Sequence, residues 1–101
     1  MPVINHSLIL DKDMVFDEDL TVDGQIVGPK YTLTVKGGLI CKGQGGGKTI
    51  IVKNLEVSGD VLAGAIVAQK VSAKQFIGGT LIAREIIGQT TDVWHVERIT
   101  E

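Results

Sequence analysis

The side chains that could bind a transition metal or perform acid–base chemistry are few and widely separated in this sequence. His6 and His95 stand near opposite ends, and Cys41, the sole cysteine, lies between them. Zinc sites draw on closely spaced pairs of such residues, and a nucleophile needs a base within hydrogen-bond reach. The sequence offers neither arrangement. We therefore predict that the protein is not an enzyme and has no catalytic residue, metal site or cofactor.

An acidic stretch at residues 11–19, DKDMVFDED, is the candidate ligand for a hard cation such as Ca²⁺. A calcium-binding loop also needs a glycine at its sharp turn and a glutamate at its far end. The stretch lacks this pattern, and its apolar residues alternate with polar ones instead. We predict soluble turns on either side of a short strand.

A glycine-rich run at residues 43–49, GQGGGKT, invites comparison with a phosphate-binding loop. Such a loop would require glycine at position 42, where Lys42 stands, and a helix after the lysine. The residues that follow, Ile50, Ile51 and Val52, are typical of a strand. The run therefore predicts a flexible loop that lengthens one structural repeat.

The strongest pattern is an internal repeat in which an aliphatic residue is followed two positions later by another apolar residue. The five copies begin at Leu20, Leu33, Ile50, Ile66 and Leu81, and a weaker sixth copy begins at Leu8. An apolar pair at this spacing lies on one side of a β-strand. The spacings of 12, 13, 17, 16 and 15 residues are too short for βαβ units and too irregular for heptads.

This repeat predicts an all-β fold, a short parallel β-helix or solenoid of about five to six coils. The unequal coil lengths favour the right-handed form over the left-handed hexapeptide helix. Aligning the copies predicts that Val35 and Val52 stack in one interior column. We expect a single domain over residues 1–101, with repeats over about 8–90 and a closing segment over 91–101.

The closing segment contains Trp94, a large ring in a chain whose apolar residues are mostly small and aliphatic. With Val96 and Ile99 it could cap the last coil, or it could anchor a second copy of the chain. Because the core of so short a domain is thin, association between copies is plausible. We therefore name Trp94, Val96 and Ile99 as candidate self-association residues.

Charge and composition exclude several classes of partner. The net charge is −2, which argues against nucleic acid, and no apolar run is long enough to cross a membrane. The single cysteine and the lack of a leader pattern predict a cytoplasmic protein. Residues 1–29 hold six acidic and one basic side chain, residues 30–84 hold two and eight, and residues 85–101 hold four and one. This uneven distribution is typical of an ordinary solvated surface; the alternative is end-to-side or end-to-end electrostatic complementarity between copies.

The motif V-x-G-x-[ILV] occurs at residues 22–26, 35–39 and 57–61. In this respect the chain, over roughly residues 20–90, resembles the bactofilins, which are bacterial polymer-forming cytoskeletal proteins. The resemblance implies a right-handed parallel β-helix whose copies join end to end into filaments without nucleotide. The Pro-rich polar tails usual in that family do not occur in this sequence.

Two functions follow as hypotheses. The first is a non-enzymatic structural protein that self-associates as a homo-oligomer or filament, like a bactofilin. The alternative is a ligand-binding solenoid, with carbohydrate as one candidate ligand, although the sequence identifies no particular small molecule. Carbohydrate-binding faces usually carry stacked aromatic rings, and only four aromatic residues are present among 101.

Overall fold

The computed structural model describes residues 3–99, which form eleven β-strands in one sheet and no helix. Every strand pairing is parallel except that of β6 with β7. The strands are β1 Val3–Ile4, β2 Leu8–Ile9, β3 Met14–Phe16, β4 Leu20–Asp23, β5 Ile26–Val35, β6 Leu39–Gly43, β7 Gly46–Gly47, β8 Thr49–Val57, β9 Asp60–Val67, β10 Lys70–Ala83 and β11 Glu85–Arg98. The predicted all-β parallel solenoid is confirmed, with about six coils. The described residues contain no helix that could span a bilayer.

Each coil passes through three faces, so three columns of outward-pointing residues define the solenoid. The first face carries Val3, Thr21, Ile40, Leu62, Ile77 and Asp92 in register. The second carries Ile9, Val27, Ile51, Val67, Ile82 and Glu97. The third carries Val15, Thr34, Glu56, Ser72 and Ile87. Residues on either side of these positions point inward, as the alternation along a strand requires.

The core is built from the inward positions and consists almost entirely of aliphatic side chains, with Phe76 as its one fully buried ring. Among the described residues no polar or charged side chain is buried. Similar aliphatic residues stack on one another from coil to coil and make the core continuous. On the second face, for example, the stacked residues are Ile26, Ile50, Ile66 and Leu81. Each coil thus covers the apolar residues of the one before it.

The first three coils are longer than the predicted 12 to 17 residues, and the last two lie within that range. On the first face, Val3 pairs with Thr21, Thr21 with Ile40, Ile40 with Leu62, Leu62 with Ile77 and Ile77 with Asp92. These steps are 18, 19, 22, 15 and 15 residues long. The longest coil contains the β6–β7 hairpin, in which Lys42 pairs with Gly47.

The sequence alignment of the copies was wrong in the first half of the chain. Ile50, Ile66 and Leu81 do share a column, but Leu20 pairs with Leu39 on the first face and Leu33 with Leu55 on the third. The predicted stacking of Val35 on Val52 is also wrong, because Val52 pairs with Gly28, whereas Val35 pairs with Val57. All three faces use the same apolar alternation, so spacing alone does not assign a strand to its face. The right-handed sense stays a prediction.

A candidate self-association surface at the C-terminal coil

The last coil leaves one long strand edge without a partner strand. The fourteen-residue strand β11 pairs in parallel with β10, and no strand among residues 3–99 pairs with its other edge. The N–H and C=O groups along such an edge are a template for another strand. The edge runs round most of a coil, since β11 contributes to all three faces.

Inward-facing apolar residues on this coil also lack a cover. Val96 is in register with Leu81; Leu81 is fully buried, whereas Val96 is 38% exposed. The next inward position, above the buried Ala83, is taken by Arg98, which is exposed. Ile99 follows β11, its N–H donates to the Ala83 carbonyl at 2.9 Å, and it is 38% exposed. A further coil placed on this end would remove these side chains from water, which is favourable.

Trp94 projects from the same coil, at the corner between the first and second faces. Its neighbours Val93 and His95 pair with Gly78 and Thr80, so a glycine, Gly79, lies beneath it on the preceding coil. The indole is 88% exposed and its nearest aromatic contact is His95, with ring centroids 6.4 Å apart. A side chain so exposed does not cover the core of the single chain, and the role of Trp94 as an anchor stays a prediction.

The three residues predicted for self-association all lie in the last described coil; they are Trp94, Val96 and Ile99. The predicted closing segment 91–101 is largely strand β11, while Thr100 and Glu101 lie outside the described residues. Sequence reasoning did not include Val93 and Ile86, which are partly buried and pack against the core from the same coil. The inward orientation of Val93 is readable only from its register with Gly78, whereas aligning the copies already placed Ile86 in one column with Leu55 and Val71, which the structure confirms.

The first coil is fastened differently, through one side chain at each of its three corners. The Gln25 N–H donates to Ser7 Oγ at 3.1 Å, the Thr32 N–H to Asp13 Oδ1 at 2.9 Å, and the Gly38 N–H to Asp19 Oδ1 at 2.8 Å. Each bond joins the first coil to the second. Asp13 and Asp19 of the acidic stretch therefore serve to join the first coil to the second. The three acceptors, at positions 7, 13 and 19, are six residues apart, and this spacing is the sequence signal that could have indicated their role.

The residues considered for metal binding and catalysis remain apart. Among residues 3–99, no three His, Cys, Asp or Glu side chains converge on one point. His6 Nδ1 contacts the Ser7 carbonyl oxygen at 2.7 Å, and His95 Nε2 lies 3.5 Å from Glu97 Oε1. Burial raises the pKa of the Cys41 thiol to about 11, against a smaller lowering by the Ile26 backbone. Its S–H donates to the Gly24 carbonyl at 3.1 Å, so the thiol is protonated and enclosed at neutral pH.

The glycine-rich run forms the β6–β7 hairpin and lengthens its coil as predicted, while the flexibility of the run stays a prediction. Gly45 and Gly46 adopt φ values of +90° and +123°, which L-residues with side chains rarely adopt. At the base of the hairpin, a Cβ on Gly47 would lie 2.5 Å from the Gly64 nitrogen. The backbones of two coils meet there, and glycine is needed for the close approach.

An open groove of about 390 Å³ lies on the first face. Its floor includes the outward residues Thr21, Ile40, Leu62 and Ile77, and its side includes Asp19 and Asp60. The lining holds aliphatic side chains and carboxylates but no aromatic ring on which a sugar could stack. The ligand-binding alternative therefore stays a prediction.

No protein-family model, curated protein or solved structure matches this chain. The likeness to bactofilins stays a prediction from the V-x-G-x-[ILV] motifs. Their glycines, Gly24, Gly37 and Gly59, lie at corners of the solenoid, where the Gly59 N–H donates to the Gly37 carbonyl at 2.9 Å and a Cβ on Gly59 would lie 3.1 Å from that oxygen. Close stacking of corners selects glycine for geometric reasons, which explains why the motif has low specificity.

Proposed function

We propose that this protein is a non-enzymatic structural scaffold, bactofilin-like in kind, that associates with copies of itself through the C-terminal end of its solenoid. The observation that carries the proposal is the exposure of Val96 above the buried Leu81. In every earlier coil the equivalent position is covered by the next coil. A second copy would complete the column by the same contacts that build the core.

The two ends differ in how well they are covered. In the inward column of the second face, Leu8 of the first coil is buried, whereas Val96 of the last coil is 38% exposed. Outward aliphatic residues are exposed on both coils, but only the last coil adds an exposed indole, that of Trp94. Exposed aromatic residues beside aliphatic ones are typical of interface anchors. The C-terminal coil is therefore the surface with most to gain from association.

The register of the two ends favours a head-to-tail arrangement. Within the chain, Ile4 and Leu8 belong to the inward columns of the first and second faces, as do Val93 and Val96. A following copy would set its Ile4 above Val93 and its Leu8 above Val96, continuing both columns. Such a contact joins two different surfaces, does not close on itself and so produces filaments.

The test is the state of the purified chain across a wide range of concentration. Sedimentation velocity and negative-stain electron microscopy should find oligomers or filaments for the wild type. Trp94→Ala should weaken association by about 30-fold, the equivalent of a ~2 kcal/mol anchor, and leave the thermal melt unchanged. Ile87→Thr, an exposed aliphatic on the third face of the same coil, is the matched control.

Two outcomes would overturn the proposal. A wild-type chain that stays monomeric at the highest attainable concentration removes self-association altogether. Loss of thermal stability in Trp94→Ala, with no change in association, assigns the indole to the stability of a single chain.

A further inference from the structure

The second face carries an uninterrupted row of outward aliphatic side chains. One residue from each of five consecutive coils stands in this row, which we call the aliphatic ladder: Ile9, Val27, Ile51, Val67 and Ile82. Each is flanked in sequence by inward residues, as Ile51 is by Ile50 and Val52, which are both buried. This sheet is therefore apolar on both sides.

Parallel sheets in proteins are usually covered on both sides, and an apolar outer side marks a place where another layer packs. The other two faces differ from the second. The middle of the third face carries Thr34, Glu56 and Ser72. The first face carries a shorter aliphatic row of three residues, Ile40, Leu62 and Ile77, between Thr21 and Asp92. The second face therefore has the longest outward aliphatic row.

We propose that the aliphatic ladder is a lateral interface between two copies of this chain, packed face to face with antiparallel solenoid axes. This contact goes beyond the proposed function, because it uses a side of the solenoid and not its end. Its register and its charges identify a second copy as the occupant.

The register follows from where the ladder stops. The sixth position of the column is Glu97, which is paired with Ile82. A two-fold axis beside Ile51 sets Ile9 against the partner's Ile82 and Val27 against the partner's Val67, and leaves Glu97 outside. Parallel axes would set Glu97 against its counterpart, and a shift of the axis toward Val67 would set Ile9 against Glu97; both bring a carboxylate into the contact at a cost. A shift of the axis toward Val27 keeps Glu97 outside but leaves Ile82 without a counterpart, so it buries less apolar surface.

Charges on one edge of the second face fit the same two-fold axis. Asp11 and Arg84 follow Ile9 and Ile82 by two residues, at the same edge, and both are exposed. The axis beside Ile51 places Asp11 opposite the partner's Arg84, and Arg84 opposite the partner's Asp11. Lys53 lies next to the axis and faces its own counterpart, so its long stem must extend into water.

The size of the ladder sets the strength of the contact. Five rows at ~4.8 Å and strands of about five residues give roughly 400 Å² on each copy. The total of about 800 Å² lies below the range of stable specific interfaces and in that of weak, transient contacts. The lateral dimer is accordingly weak and reversible, and it forms at high protein concentration without end association.

A position-specific cross-link tests the ladder. Ile51→Cys should give covalent dimers with a short thiol-reactive cross-linker, because the two copies of residue 51 face each other, and Ile87→Cys on the third face should not. The native Cys41 is buried and protonated, so it does not compete. Equal yields from the two variants would overturn the proposal.

Charge reversal tests the orientation in the Ile51→Cys background. Asp11→Arg should lower the cross-linked fraction, with association weakened about fivefold, and Asp11→Arg combined with Arg84→Asp should restore it. Lys53→Gln should raise the cross-linked fraction, because the two copies of Lys53 face each other across the axis. Failure of the double reversal to restore cross-linking would exclude the antiparallel arrangement.

A final variant separates the side contact from the end contact. Trp94→Ala in the Ile51→Cys background should keep the cross-link, even where it abolishes end association. If the cross-link disappears with Trp94→Ala, the ladder is not an independent interface and the lateral proposal is wrong. If wild-type filaments are absent but the cross-link persists, only the end-to-end proposal fails.

Discussion

The carboxylate of Asp19 in the first coil accepts a hydrogen bond from the Gly38 N–H of the second coil, at 2.8 Å. The bond is one of three that fasten the first coil at its corners. We predict that Asp19→Ala lowers the free energy of unfolding by about 1 kcal/mol, because the Gly38 N–H loses its acceptor. Glu18→Ala, next to it and exposed, is the control, and chemical denaturation compares the two variants. Equal midpoints would mean that water replaces the carboxylate without cost.

Leu81 and Val96 occupy one column but different environments, so the same substitution should have different effects. Leu81→Asp places a carboxylate in the core without a partner and should cost several kcal/mol, enough to unfold the domain. Val96→Asp should leave the chain folded, since water reaches that position, but should abolish end association. Circular dichroism and sedimentation of both variants check this pair. An unfolded Val96→Asp variant would contradict the assigned register.

Cys41 should make stability depend on pH above neutrality. Its pKa is about 11 in the folded chain, against 9.0 for the unperturbed thiol. As the pH rises, the thiol therefore loses its proton in the unfolded chain before it does so in the folded chain. The contribution of the protonated thiol to the free energy of unfolding is complete below pH 9 and is lost as the pH rises from 9 to 11. The loss amounts to at most ~3 kcal/mol.

The control for this prediction is Cys41→Ala, which removes the thiol and leaves every other ionisable side chain in place. Urea denaturation at several pH values should give a steeper decline for the wild type than for the variant. Parallel curves would show that the thiol ionises freely in the folded state.

The tip and the base of the β6–β7 hairpin should respond differently to change. Deleting Gly45 and Gly46 removes only exposed residues and should leave the melting temperature nearly unchanged. Gly47→Ala adds a Cβ 2.5 Å from the Gly64 nitrogen and should destabilise the chain by more than 1 kcal/mol. Thermal melts of the two variants are compared directly. A stable Gly47→Ala variant would mean that the hairpin moves away from the coil at little cost.

End association should strengthen as salt is added. Both end segments are acidic: residues 11–19 hold five acidic and one basic side chain, and residues 85–99 hold three and one. Salt screens the repulsion between them and favours apolar burial. Sedimentation at low and high NaCl should show larger species at high NaCl. The lateral dimer of Trp94→Ala should weaken instead, since it depends on Asp11 and Arg84. Dissociation of wild-type oligomers by salt would point to ion pairs at the ends.

The sequence was sufficient to predict the fold class but not the assignment of strands to faces. Alternation such as that of Leu20 and Val22 indicates an inward pair wherever it occurs, and stacked pairs with glycine turns indicate a solenoid. The same alternation appears on three faces, so Leu20 and Leu33 look equivalent although they stack on different partners. In the later coils the alignment of the copies was correct at Ile50, Ile66 and Leu81, because those coils have similar lengths.

The candidate surfaces were predictable to different degrees. Trp94 is conspicuous by composition alone, and its exposure agrees with a role as an anchor. The aliphatic ladder was not predicted, because in runs such as Ile50-Ile51-Val52 the middle residue resembles its buried neighbours. Only the strand register reveals that Ile51 points outward, in line with Val27 and Val67. Burial on two sides of a sheet is a tertiary property that local periodicity does not encode.

The last two coils have the same length, fifteen residues from Leu62 to Ile77 and fifteen from Ile77 to Asp92. A tandem duplication of fifteen residues in this region would therefore insert one whole coil with all three faces in register. Each such event would lengthen the rod by ~4.8 Å and leave both ends unchanged. The gene can thus change the length of the molecule in fixed steps without redesigning its contacts.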